Sequence, residues 1–271
     1  MAERLRAVDS LVNSSFLNAG RGEQALSYLF RDLAERPPID SPEDLLEQMD
    51  AVDIGAAVVS IMEPAHAEWV GEAHKRYPNK ILPAMITDPT GGFAEIQRVI
   101  EYHERFNVRC LRMPPFRWTL PPTDRAFWPF YVKALELDIA VSMNAGMPGP
   151  RRPGWVQNPL FYDEVAFHFP DLRLIMTHCG QPWIDEVIST ISHWQNVYMA
   201  CTSVAPKYWE PKFVQFINTR GREKMMYGTE YVIPWARSRD EIDKLPIREV
   251  VEPLFYAENA RRAYAWEFDV N

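Results

Sequence analysis

The feature that most constrains this chain is an alternation. Short apolar runs rich in β-branched residues repeatedly precede longer segments of helical periodicity. Eight runs read as strands, at 5–8, 56–61, 81–86, 108–113, 139–143, 172–177, 197–200 and 225–227. The helix expected at Ser41 has a serine N-cap, Pro42 at its first position, and Glu43 and Asp44 in its first turn. Further helices are expected near 65–76, 93–106, 124–137, 159–169, 182–194, 211–219 and 239–250. Strands separated by helices pair in parallel, because each return to the sheet needs a crossover. Eight such units match a (β/α)8 TIM barrel, which typically takes about 250 residues. One α/β domain over 1–271 is therefore expected. The rival, an open doubly wound sheet, lacks its GxGxxG signature after the first strand.

Charge and composition narrow the function. The chain has 37 acidic and 29 basic side chains, a net charge of −8, and no Lys/Arg cluster to neutralise a run of phosphates. Nucleic acid is not an expected partner. The best apolar run, 54–62, is interrupted by Gly55 and Ser60 and falls far short of the roughly 20 residues of a membrane span. No apolar stretch of a signal peptide follows Met1. Cys110, Cys179 and Cys201 are an odd, widely spaced set, which fits reduced thiols in the cytoplasm. The 23 prolines suit many structured loops.

Barrel active sites gather at the C-terminal ends of the strands. There the sequence carries Asn13 after strand one, Glu63 and His66 after strand two, and Arg112 at the end of strand four. Asn144 ends strand five, His178 follows strand six, Thr202-Ser203 strand seven and Glu230 strand eight.

Asp171-Leu-Arg-Leu-Ile-Met-Thr-His178-Cys-Gly, Asn196-Val-Tyr-Met, Met226-Tyr-Gly-Thr-Glu230-Tyr and Glu258-Asn-Ala-Arg-Arg-Ala-Tyr carry a resemblance over nearly the whole chain. It resembles the amidohydrolase-related family that includes aminocarboxymuconate semialdehyde decarboxylase, resorcylate-type decarboxylases and 2-pyrone-4,6-dicarboxylate lactonase. In the metal-using members, the resemblance implies an HxH pair on strand one, histidines ending strands five and six, and an aspartate ending strand eight. Those positions here hold Leu11, Asn13, Asn144, His178 and Glu230. A catalytic zinc takes three imidazole, thiolate or carboxylate ligands, whereas Leu11 cannot ligate and amide oxygens are poor ligands. No metal and no other cofactor is therefore expected.

His178 becomes the expected acid/base, since imidazole titrates near neutrality. Glu230 would be its partner, fixing the ring or acting as the base itself. Arg112 is the expected fork for a substrate carboxylate, with a salt bridge to Glu63 as the structural alternative. Asn13, Asn144, His66, Trp183 and Tyr231 complete the expected binding set, the last two in an aromatic wall that could include Trp118, Trp155 and Trp235. Arg151 and Arg152 read as a solvated loop pair, with a lid that reaches the mouth as the alternative. Cys179 is not a nucleophile paired to His178, because neighbouring residues point to opposite sides.

The resemblance implies a metal-independent hydrolase of lactones or amides, or a lyase catalysing decarboxylation or hydration. Its substrate would be a small cyclic or aromatic carboxylated compound. Two alternatives stand: a non-catalytic barrel that binds a metabolite or partner, and a metal enzyme with an unusual ligand set. A homodimer is the expected oligomer, if any.

Overall fold

The computed structural model describes residues 4–17 and 39–270. The long segment after strand one falls largely outside the described residues. Eight strands form one parallel sheet in sequential order: β1 (Ala7–Asn13), β2 (Ile54–Ile61), β3 (Ile81–Ile86), β4 (Cys110–Arg112), β5 (Ala140–Asn144), β6 (Leu174–Thr177), β7 (Val197–Cys201) and β8 (Met225–Tyr227). A parallel bridge from Val12 to Glu230 joins the two edges, so the sheet closes as a TIM barrel.

The helices are α1 (Ser14–Leu17), α2 (Pro42–Asp50), α3 (Ala67–Arg76), α4 (Gly92–Phe106), α5 (Trp128–Glu136), α6 (Phe161–His168), α7 (Ile184–His193), α8 (Pro211–Ile217), α9 (Trp235–Ile242) and α10 (Asn259–Tyr264). Ser41 caps α2 through a reciprocal capping box with Asp44. Among the described residues no helix is long and apolar enough to cross a membrane.

Strand alternation sorts the side chains into two cores. Ala57, Val59, Val141, Met143, Leu174 and Met176 face outward and pack under the helices. Val8, Ala56, Val58, Ala84, Cys110, Ala140, Ile175 and Ala200 fill the barrel with small and medium side chains. The C-terminal Tyr264, Trp266 and Phe268 join that inner cluster. Trp266 Nε1 donates to the Pro78 carbonyl at 3.1 Å and Tyr264 Oη to the Ser10 carbonyl at 2.7 Å. The segment thus closes the N-terminal end of the barrel and leaves the opposite mouth for chemistry.

Two expectations need correction. The first strand runs over Ala7–Asn13 rather than 5–8. Asp9, Ser10 and Asn13 break the apolar pattern, yet they are buried because neighbouring groups satisfy them: Ser10 Oγ donates to the Tyr227 carbonyl at 2.5 Å. The last expected helix, 239–250, lies instead at Trp235–Ile242, before Pro246, which cannot continue a helix. A π-helical turn at Leu254–Glu258 leads into α10, a feature that periodicity does not signal.

Candidate active site

Strand parity turns three polar residues inward near the mouth. Cys110 and Ala140 face inward, so Arg112, Ser142 and Asn144, each an even number of residues further on, face inward near the strand ends. Asn13 arrives differently. Between Asp9 and Val12, β1 advances three residues while its partner β2 advances two, from Ala57 to Val59. This bulge reverses the parity, and Asn13 then stands opposite Ser60 and lines the mouth.

The loops after β6, β7 and β8 deliver the rest through left-handed backbone. His178 has φ 74°, Cys179 60°, Ser203 61°, Glu230 58° and Tyr231 60°. Each such non-glycine residue costs about 1–3 kcal/mol, and such strain clusters at functional sites. Among the described residues, half of the ten non-glycine positions with positive φ lie in these three turns.

These elements enclose a cavity of about 630 Å³. Arg112, Glu230, His178, Ser203, Asn13 and Asn144 form its polar side. Phe16, Met62, Phe116, Met147, Val204 and Val232 supply apolar walls, and Arg117 and Arg152 stand at its exposed rim. Arg152, expected in a solvated pair, thus reaches the mouth.

Glu230 is the hub. Arg112 Nη2 donates to its Oε1 at 2.5 Å, and Ser203 Oγ donates to its Oε2. His178 Nε2 lies 3.5 Å from the same Oε2. Burial alone would raise the Glu230 carboxyl, but His178, Arg112 and the Ser203 hydrogen bond outweigh it and hold it below the ordinary Glu value. Burial pushes His178 down to about 4, Arg112 adding to the effect and Glu230 opposing it. Near pH 7 the imidazole is therefore neutral and the carboxylate ionised, with Arg112 as its lasting counter-charge. The carboxylate that Arg112 grips is that of Glu230; Glu63, the expected alternative, is exposed.

Spare donors face the cavity. Asn13 Oδ1 accepts from the Ser15 N–H at 3.0 Å, which leaves its Nδ2 hydrogens for the mouth. Asn144 Oδ1 accepts from Thr177 Oγ1 at 3.1 Å with the same result. Among the described residues, Arg112 Nη1 has only the Met62 thioether at 3.5 Å, and its Nε is buried without a partner.

The remaining expected residues stand apart from this group. His66 Nδ1 is paired with Ser14 Oγ at 2.8 Å, outside the cavity lining. Tyr231 is buried, with its hydroxyl 3.1 Å from Gln48 Oε1 and its ring against Trp235. Trp183 is half-buried at the start of α7, and neither aromatic lines the cavity. Sequence reasoning gives no role to Thr202 and Ser203, although both stand at the end of β7.

A family model described as amidohydrolase matches residues 21–266. The chain belongs to the amidohydrolase family. No curated protein matches it in sequence. An uncharacterised TIM-barrel protein from Bordetella bronchiseptica shares 22% identity and a TM-score of 0.75, over 96% of this chain and 99% of that one. A 5-carboxyvanillate decarboxylase from Novosphingobium aromaticivorans, complexed with manganese and 4-hydroxy-3-methoxy-5-nitrobenzoic acid, shares 13% identity and a TM-score of 0.71, over 96% of both chains. A probable 2-pyrone-4,6-dicarboxylic acid hydrolase from Acinetobacter baumannii with citric acid bound shares 10% and 0.63, over 97% of this chain and all of that one. At these identities the structures establish the shared barrel fold.

Manganese in one of these structures poses a test of the donor set. Among the described residues no group of three His, Cys, Asp or Glu side chains is placed to hold a metal ion. Leu11 is buried and offers no donor, both Asn oxygens are turned to protein donors, and Glu230 is engaged through both oxygens. The Arg112 guanidinium already supplies a positive charge beside Glu230. These residues do not fit a catalytic divalent metal.

Proposed function

We propose that this amidohydrolase-family chain is a metal-independent hydrolase of small cyclic or aromatic carboxylated compounds, acting on a lactone or amide carbonyl. The observation that carries the reading is one arrangement: a neutral His178 and an ionised Glu230 share one wall of the cavity with three sets of spare N–H donors. His178 Nε2 takes a proton from water as the water oxygen adds to the carbonyl carbon. Glu230 stabilises the imidazolium so formed. The developing oxyanion accepts hydrogen bonds from Asn13 Nδ2, Asn144 Nδ2 and Arg112 Nη1, the task of an oxyanion hole. Collapse breaks the bond to the ring oxygen or amine, which recovers the proton from His178. The apolar walls admit a flat ring. Two of the similar structures hold small carboxylated compounds, citric acid and a nitrobenzoic acid, the chemical class proposed here.

The protonation states fit base-led hydrolysis: near neutrality His178 is free to take a proton and Glu230 is ionised beside it. Acidic net charge and three buried free thiols fit work in a reducing cytoplasm.

The test is hydrolysis of a panel of aromatic lactones and amides with a chelator present. A hydrolysed substrate should turn over equally with and without chelator. His178→Ala and Glu230→Ala should each lower its turnover by about 100-fold or more. Full activity in both variants, or loss of activity on chelation, overturns the reading.

A further inference from the structure

We propose that Thr202 is a positioning residue that sets the tautomer of His178, holding a proton on Nδ1 so that Nε2 is bare toward the cavity. The inference rests on the base role given above to His178, but its geometry is independent of any substrate.

Thr202 is fully buried behind the imidazole. Its Oγ1 has three neighbours: the His178 backbone N–H at 3.1 Å, His178 Nδ1 at 2.8 Å and the Ala200 carbonyl at 3.4 Å. A hydroxyl offers one hydrogen and two lone pairs. The backbone N–H takes one lone pair. If the hydroxyl hydrogen goes to the Ala200 carbonyl, which can only accept, the second lone pair receives Nδ1–H and all three contacts are satisfied. If the hydrogen turns to Nδ1 instead, the second lone pair is left idle and the Ala200 contact is lost. The other ring nitrogen faces Glu230 Oε2 at 3.5 Å, a long contact to an oxygen already engaged by Ser203 Oγ.

A Cβ at Gly228 would fall 2.5 Å from Thr202 Cγ2 and 2.6 Å from Ser10 Oγ. The absent side chain at Gly228 thus leaves room for the Thr202 methyl. When Nε2 takes a proton from water, the same oxygen goes on accepting Nδ1–H from the imidazolium, so the ring does not turn. A serine would keep the hydrogen bonds without the methyl; a valine would keep the shape and lose every hydrogen bond.

The experiment is nitrogen-15 NMR of histidine-labelled full-length protein near neutral pH, with His178 assigned by its loss in His178→Gln. The native protein should show His178 protonated at Nδ1 and bare at Nε2. Thr202→Val should move the proton to Nε2, and Thr202→Ser should retain the native pattern at least in large part. A native His178 protonated at Nε2 overturns the proposal without reference to any variant. So does a Thr202→Val protein whose tautomer is unchanged. Because no turnover is measured, failure here leaves the hydrolysis assay to judge the reaction separately. Success here with no hydrolysis in that assay would place the fault in the proposed reaction.

Discussion

Two buried carboxylates stand at the seam where β8 meets β1, and they are treated in opposite ways. Glu230 faces the cavity and is held by a cation, Arg112. Asp9, at an outward position of β1 behind the barrel wall, is held only by neutral donors. Its Oδ1 accepts from the N–H of Leu11 at 3.1 Å and of Thr229 at 2.9 Å. Its Oδ2 accepts from Thr229 Oγ1 and from Trp235 Nε1 at 2.7 Å. Burial pushes Asp9 up to about 6 despite those four bonds. Glu230, also buried, stays below its ordinary value because His178, Arg112 and the Ser203 hydrogen bond outweigh its burial. Neutral donors hold Asp9 with its value raised by burial, whereas charged neighbours hold Glu230 with its value lowered.

The contrast breaks most visibly if the cation is removed. Arg112→Met should leave Glu230 as a buried charge without its counter-charge and cost about 3–5 kcal/mol of stability. Glu230→Gln should cost a similar amount by stranding Arg112. The double variant should recover most of either loss, since an ion pair replaced as a unit is often nearly neutral. Urea denaturation of the three proteins decides it. Losses that simply add would mean that Arg112 and Glu230 do not hold each other.

A smaller effect separates the two acids by pH. The Asp9 carboxyl is raised from an ordinary 3.8 to about 6, so its contribution is fully present below pH 3.8 and is lost as pH rises through 6. The change is roughly 3 kcal/mol, at 1.36 kcal/mol per unit. Glu230, whose value is lowered, acts with the opposite sign and loses its contribution only as pH falls below the ordinary Glu range. His178, depressed to about 4, also loses stability as pH falls from about 6.5 and so masks Asp9 in the native curve. The quantity to measure is therefore the stability difference between native protein and Asp9→Asn across pH 4–7. It should shrink by roughly 3 kcal/mol toward pH 7; a flat difference would show that Asp9 does not titrate in this range.

The same pair of carboxylates shows what is legible in the sequence. Glu230 is readable because it follows an apolar run, stands at a strand end and lies within a recognisable motif. Strands β3 and β8 are readable to the residue, since both are uninterrupted apolar runs bounded by polar ones. Asp9 and Asn13 read as loop because polar residues inside a buried strand cancel the pattern that marks strands. Only the partners supplied by Thr229, Trp235 and Tyr227, more than 200 residues away, make that strand possible. Thr202 and Ser203 are placed at a strand end by the sequence, but their roles stay hidden for a related reason. Hydroxyl side chains carry no sequence signature, and their roles rest on a ring and a carboxylate delivered by other loops.

Ser203 offers the finest test of the comparison, because it gives Glu230 the same kind of neutral donor that surrounds Asp9. Its hydroxyl binds Oε2, the oxygen nearer His178, from a left-handed turn with φ 61°. Ser203→Ala removes one hydrogen bond to an ionised group and should cost about 1.5 kcal/mol, the lower end for such bonds at a half-exposed site. Its rank below Arg112→Met is what matters. If the cation dominates, Glu230 stays ionised without Ser203, and the acid limb of stability moves only slightly toward higher pH. If Ser203→Ala costs as much as Arg112→Met, then neutral donors alone hold Glu230, and the distinction drawn from Asp9 fails.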